Sequence, residues 1–270
     1  MTLTSERVEL SNGLTLRAHR RAGAGAPVIC MHGIWDEGDY FRALGGDGPG
    51  SFAGHPLYLF DLRGHGESDK PESGYGWQDY ADDIVCFIKD RDFEQALLVG
   101  HSLGALTSLL VAAEIPDRIA AMVLEDPPVP LREVSGDVFG TLLELKQQKF
   151  ETVVDELHAW RPFMSREQAE GSARRLVQTA DGVLAEASSG ISGDVRIPVP
   201  GVTISAPTLV IQAGYEDQRA FGAEGPALLG AVLPNLTIET IPETSHNVFR
   251  EKPDGYKALV QAWWDALQPA

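Results

Sequence analysis

The chain has 270 residues, 43% hydrophobic and 23% charged, which suits one large globular domain and excludes a disordered, collagen-like or coiled-coil chain. Basic residues number 22 against 39 acidic ones, a net charge of −17. That is the wrong sign for docking on polyphosphate or an anionic bilayer, so nucleic acid and membrane are set aside as partners, and neutral or cationic substrates are favoured over anionic ones.

The start, MTLTSERVEL, has no basic region leading into an apolar stretch, and no run approaches the roughly 18 apolar residues that would span a bilayer. The expectation is a soluble, cytoplasmic protein. Val8 to Arg17 carries Asn12-Gly13 between two short alternating runs, a hairpin signal. Pro27–Met31 is a continuous apolar run that suits a strand buried on both faces, and it leads directly into His32-Gly33. Leu57–Phe60 is a second such run, ending at Asp61 and the stretch DLRGHGESDKP. Tyr80, Ile84, Phe87 and Ile88 then fall at helical spacing between Tyr75 and Lys89. Ala96–Val99 reads as strand, Leu103–Glu114 as a small-residue helix and Ile119–Leu124 as strand. This alternation predicts an α/β fold with a mostly parallel central sheet and helices on both faces.

The alternation stops at Asp126-Pro127-Pro128-Val129-Pro130. From about Leu131 to Ala187 the spacing is helical only, and a Gly/Pro-rich return follows from Ser188 to Pro207. Thr208–Gln212 and Leu236–Ile241 read as strands, Leu228–Val232 as part of a helix and Gly255–Leu267 as an amphipathic helix. The expected organisation is a core of residues 1–130 and 206–270 interrupted by a helical cap over 131–205. Cys30 and Cys86 lack the number and spacing of a disulfide framework or a zinc site and read as free thiols.

The sharpest motif is Gly100-His101-Ser102-Leu103-Gly104. Between a buried strand and a helix, G-x-S-x-G reads as a nucleophile elbow, a tight turn that needs small residues two before and two after the serine. The turn lifts the hydroxyl toward the unpaired first amides of the helix. A serine needs a base, and of the seven histidines His246 is the candidate. It sits after the last strand, and in an open parallel sheet loops at the carboxyl ends of the strands gather at one mouth. His101 is held beside the serine with its ring directed away. His32 and His65 lie in glycine-containing turns where a hydrogen-bonding role suffices, and His19, His55 and His158 have no motif context.

Met31-His32-Gly33, Asp61–Ser68, Gly100–Gly104 and the late His246, in this order, resemble a serine hydrolase of the α/β-hydrolase fold along essentially the whole chain. The resemblance implies an oxyanion hole from the amides of Ile34 and Leu103, whose loss would cost on the order of 100–1,000-fold in rate. It leaves two positions for the triad acid. Asp217, in Gly214-Tyr215-Glu216-Asp217, follows the later strand, but Gln218-Arg219 departs from the apolar, Pro-containing continuation usual there. Asp126 follows the earlier strand, 24 positions after the serine as in some esterases and lactone hydrolases of this fold, and the reading leans to it. Either could hold the imidazole in its working tautomer. Asp61–Ser68 lacks Gly-Lys-Ser/Thr, so a structural turn is preferred to a phosphate loop.

Trp35 is the substrate-pocket candidate by position, and Phe139, Leu142, Trp160, Phe163 and Met164 are available from the insertion, though most of these would form its own core. No His/Asp/Glu cluster has metal-ligand spacing, and the chemistry calls for no cofactor. The expected function is hydrolysis of small to medium apolar esters or lactones through an acyl-enzyme. The alternative is a ligand-binding protein without turnover on the same fold. Monomer and homodimer both remain open.

Overall fold

A computed structural model describes residues 2–46, 48–130, 138–161, 164–189 and 201–267. Eight strands form one sheet in the order β1-β2-β4-β3-β5-β6-β7-β8. The Asn12-Gly13 turn joins β1 (Thr4–Glu9) to β2 (Thr15–Arg21) as the expected antiparallel hairpin. Strand β2 also pairs antiparallel with β4 (Leu57–Phe60), and every other pairing is parallel. These are β3 (Val28–Met31), β5 (Ala96–His101), β6 (Ile119–Glu125), β7 (Thr208–Ala213) and β8 (Leu236–Ile241). The chain steps from β3 to β4 on one side, then returns to place β5 on the other. The sheet therefore changes direction beside β3, where an open parallel sheet presents a crevice at its carboxyl edge.

The continuous apolar runs have two buried faces because alternate side chains feed two cores. Ile29, Met31, Leu98, Met122 and Leu124 pack with α1 (Trp77–Asp90) and α2 (Leu103–Glu114). Their neighbours Val28, Cys30, Leu97, Val99, Ala121 and Val123 pack with Tyr40, Phe41 and Tyr256 and Val260 of α9 (Pro253–Leu267). Helix α2 is apolar on every face and buried from Leu103 to Ala112, so it is a core element rather than a surface helix.

Between β6 and β7 lie α3 (Val138–Leu145), α4 (Phe150–Trp160), α5 (Arg166–Gln178) and α6 (Asp181–Ser188). Their apolar residues form a third cluster around Leu142, Val154, Leu157 and Leu176, and Ile34 and Trp35 of the loop after β3 pack against it. The helix expected over 228–232 instead runs Gly225–Gly230 as α7, beginning where Pro226 supplies its preset φ. A 3-10 helix over Gly38–Gly45 is an addition to the expected elements. Arg21 is buried in β2 and donates to the carbonyls of Leu44, Gly46, Ser51 and Phe52 at 2.8–3.0 Å, which ties the segment after that helix to the sheet. Both cysteines are free. Among the described residues, no helix is long and apolar enough to cross a membrane.

Helix α2 touches β3 at Gly104, where a Cβ would lie 2.0 Å from the Met31 carbonyl oxygen. Gly104→Ala is expected to destabilise the protein by at least about 3 kcal/mol, the upper end of overpacking costs, because backbone rather than a flexible side chain must move. A urea unfolding midpoint unchanged from wild type would count against this packing.

Candidate active site

Strand β5 ends at His101, and the chain turns through Ser102 with φ 51° and ψ −109° before α2 begins. Side chains other than glycine rarely adopt a positive φ, and the turn is kept by its surroundings. A Cβ on Gly100 would stand 2.3 Å from the Gly104 carbonyl oxygen. The Gly104 amide donates to His32 O at 3.0 Å and the Ser102 amide to Glu125 O at 3.1 Å, which ties the turn to both neighbouring strands. Trp35 (φ 51°) and Asp126 (φ 41°) also take a positive φ. Three non-glycine residues of positive φ thus gather at one edge of the sheet, where strain commonly marks function.

A cavity of about 150 Å³ opens there, lined among others by Ile34, Trp35, Ser102, Phe139 and His246. Among the described residues, no acceptor faces the amides of Ile34 or Leu103, whereas Gly104, Ala105 and Leu106 all find backbone acceptors. A larger depression of about 640 Å³, lined by Asn12, Arg63, Cys86 and Lys89, contains no serine or histidine.

His246 Nδ1 lies 2.6 Å from Asp126 Oδ2. That contact places a proton on Nδ1, which donates it as a hydrogen bond to the carboxylate, and leaves Nε2 for the cavity. Asp126 is fully buried, and Oδ2 also accepts from the Ala220 amide at 2.7 Å, with longer contacts of 3.4 Å from the Ala213 and Phe221 amides to Oδ1. The loop after β7, which holds Asp217, therefore points backbone donors at Asp126. Asp217 itself is exposed and outside the cavity. The sequence left two carboxylates open, and only Asp126 meets the imidazole.

A layer of buried groups holds the histidine loop in place. His101 Nε2 donates to the His246 carbonyl at 3.0 Å, and its ring stacks on Tyr40 at 4.5 Å. Burial, then the nearby His246, lowers the His101 pKa well below the ordinary histidine value, so that ring stays neutral. Tyr40 donates to Glu125 Oε1 at 2.6 Å, and the Phe249 amide donates to the same oxygen at 2.8 Å. Burial pushes Glu125 up to about 8 in spite of these two bonds. The His32 ring bridges Gly33 O and the Leu62 amide, and His65 lies against Arg63 O, the hydrogen-bonding roles expected of both. Asp61–Ser68 closes on itself, with Asp61 Oδ2 accepting from the Glu67 amide and Ser68 Oγ donating to Asp61 O.

Of the pocket candidates, Trp35 and Phe139 line the cavity, Leu142 is buried among the inserted helices, and Trp160 is 49% exposed with its ring 6.5 Å from Trp35. Phe163 lies outside the described residues. The sequence reading missed the charges. Asp36 is buried between Arg250 (2.7 Å) and Arg175 (3.2 Å), and Arg161 lines the cavity. Burial alone would raise the Asp36 pKa, but the two guanidiniums outweigh it and hold it at about 2. Position gave a usable signal for two of these, since Asp36 follows Ile34 by two residues and Arg250 follows His246 by four. Among the described residues, no group of three or more His, Cys, Asp or Glu side chains could hold a metal ion.

A family model described as alpha/beta hydrolase fold matches residues 26–253. The chain belongs to the alpha/beta-hydrolase family. A relative from Mesorhizobium japonicum, a 2-(acetamidomethylene)succinate hydrolase, is 29% identical over 263 residues, covering 93% of this chain and 91% of the relative. The crystal structure of an E-2-(acetamidomethylene)succinate hydrolase matches with TM-score 0.75 and 25% identity over 98% of this chain and 100% of its own. An esterase from Exiguobacterium antarcticum shares the fold at TM-score 0.78 and 17% identity, covering 97% and 100%. This alpha/beta-hydrolase is thus a hydrolase with esterase-like neighbours.

Asp126→Asn is expected to lower hydrolytic kcat by about 10³–10⁴-fold, as wrong-tautomer variants do, while Asp217→Asn stays near wild type. The reverse pattern in steady-state rates would move the acid to the loop after β7. A second prediction concerns stability. Because Glu125 is raised to about 8 in the folded chain against about 4.3 when unfolded, the native state keeps a proton that the unfolded chain releases between those values. Stability should fall as pH rises through that window and change no further from this source above it. Thermal melts from pH 5 to 9 should show a smaller decline for Glu125→Gln than for wild type, and parallel declines would remove Glu125 as the cause.

Proposed function

We propose that the protein is a serine hydrolase that opens carboxylic esters or lactones through an acyl-enzyme. The observation that carries the reading is one cavity lined by Ser102 and His246, with His246 Nδ1 on the buried Asp126 at 2.6 Å. Ser102 Oγ attacks the acyl carbon as His246 Nε2 takes its proton, and Asp126 keeps the ring in the tautomer that can do so and stabilises the imidazolium. The carbonyl oxygen becomes an oxyanion beside the amides of Ile34 and Leu103. Those amides are fixed before the reaction, so they stabilise the new charge without reorganising. His246 then gives its proton to the leaving alkoxide, and water, activated by the same ring, releases the acid. The inserted helices over the site would limit the acyl group, with Trp35 and Phe139 as its apolar walls.

A second reading of the same machinery is cleavage of an acyl–nitrogen bond. The relative from Mesorhizobium japonicum is named for a substrate bearing an acetamido group, and an amide passes through the same tetrahedral intermediate, with nitrogen as the protonated leaving group. A pocket that binds without turnover would carry the same residues but show no difference between a serine and an alanine at position 102.

The test is turnover of a 4-nitrophenyl ester series, one γ-lactone and one N-acetyl amide by wild type and Ser102→Ala. Wild type is expected to cleave short acyl chains, and the alanine variant to lose at least about 10³-fold in kcat. Equal rates in the two proteins, or no turnover in either, would remove the serine mechanism and favour the binding protein.

A further inference from the structure

The chain-wide charge of −17 stops short of the cavity. Three charged side chains line it: Asp36, Arg250 and Arg161. Asp36 is shared by Arg250 and Arg175, so its carboxylate is already matched by two guanidiniums. The other acids nearby are also engaged. Asp126 holds His246, both oxygens of Glu251 accept from Ser245, and Glu125 accepts from Tyr40 and the Phe249 amide.

Among the described residues, Arg161 is the charged group of this cavity whose side chain has no hydrogen bond and no ion pair. It caps the end of α4, where its amide donates to Leu157 O at 3.1 Å. Its guanidinium carbon lies 5.9 Å from the Trp35 ring and 5.5 Å from the Trp160 ring. Those rings orient the fork but leave its N–H donors unused. Burial, then the charge of Arg250, works against the cation. Asp36 and Glu251 act on this cation only at a distance, and among the described residues no carboxylate pairs with it; a largely buried guanidinium so placed is costly, and an incoming anion would offset that cost. Arg pairs with carboxylates in a bidentate, planar geometry.

Resting on the serine-hydrolase reading, we propose that Arg161 receives a carboxylate carried by the substrate, so that the preferred substrates are half-esters or related acyl derivatives of short dicarboxylic acids. The cavity, about 150 Å³, is small, which favours a short acid over a long acyl chain. The reaction is ordinary hydrolysis: water adds across the acyl–oxygen bond and a dicarboxylate and an alcohol leave. This reverses the preference that net charge alone suggested.

The test compares monoethyl succinate with ethyl 4-oxopentanoate, in which a methyl ketone replaces the carboxylate, by ethanol release at pH 7. Calorimetric binding of succinate is measured beside it. Wild type is expected to favour the half-ester, and Arg161→Gln to reduce the ratio of the two kcat/KM values by about 100-fold, chiefly through KM. Arg161→Lys should recover part of the ratio, since it restores charge without the fork. Succinate binding should weaken at least tenfold in Arg161→Gln. Wild type that cleaves the ketone ester as well as the half-ester would overturn the proposal and leave the serine mechanism intact, as would a ratio unchanged in Arg161→Gln. If no ester is cleaved yet succinate binds through Arg161, the carboxylate site stands and the serine mechanism falls. If Arg161→Gln does not fold, the wild-type ratio and the lysine variant still decide. A wild type without preference, or an Arg161→Lys ratio equal to wild type, overturns the site.

Discussion

The site rests on the contact between α2 and β3. Gly104 lets the helix backbone lie against the Met31 carbonyl, and its amide donates to His32 O at 3.0 Å. With the helix seated there, the chain leaving β5 has a single residue in which to turn, and Ser102 takes a positive φ as a result. The strain at one residue is thus held by burial along a whole apolar helix, since α2 cannot shift outward without exposing Leu106, Leu109 and Leu110. Ser102 is half-buried at a fixed place because almost everything behind it is buried. Among the described residues, the same seating leaves the Leu103 amide at the helix start without an acceptor.

Electrostatics divide the molecule differently from packing. The surface is acidic overall, yet the cavity and the groups behind it hold Arg161, Arg175 and Arg250 against Asp36. Asp36 and Arg250 are 214 positions apart, and they tie the loop after β3 to the short helix α8 (Val248–Glu251) beside His246. Arg175 brings α5 to the same carboxylate. One buried acid therefore joins the loop after β3, the histidine loop and the inserted helices. A charge network of this kind fixes relative positions more than it adds stability, because desolvation consumes much of the attraction.

How legible these features were in the sequence follows from their range. The parallel strands could be read because a strand buried on both faces is a short apolar run bounded by turn residues, as in Val28–Met31 and Ala96–Val99. The turn at Ser102 could be read because its constraint is local, two glycines flanking a serine. Arg21 resisted reading because a charged residue in an edge-proximal strand ordinarily faces water, and here the carbonyls of a distant segment surround it. Arg161 and the Asp36 pairings resisted for the same reason: each depends on elements brought together only by the completed sheet. Net charge averages over the whole surface, so it carried no signal of the arginines gathered at the cavity.

The choice between Asp126 and Asp217 shows why sequence spacing alone could not decide the acid. Both follow a parallel strand and both end at the same edge of the sheet, so either loop brings a carboxylate within range of the mouth. What separates them is where the backbone donors point. Strand β6 lies between β5 and β7, so Asp126 at its end is flanked by both loops, and the Ala220 amide of the later loop reaches its Oδ2. A carboxylate so placed is desolvated and yet hydrogen-bonded, the condition under which a buried charge can persist and orient an imidazole. Asp217, on the exposed part of the same loop, makes no hydrogen bond or ion pair among the described residues. The loop after β7 thus supplies the donors that hold the Asp126 carboxylate against His246, and this support is a property of three strands together.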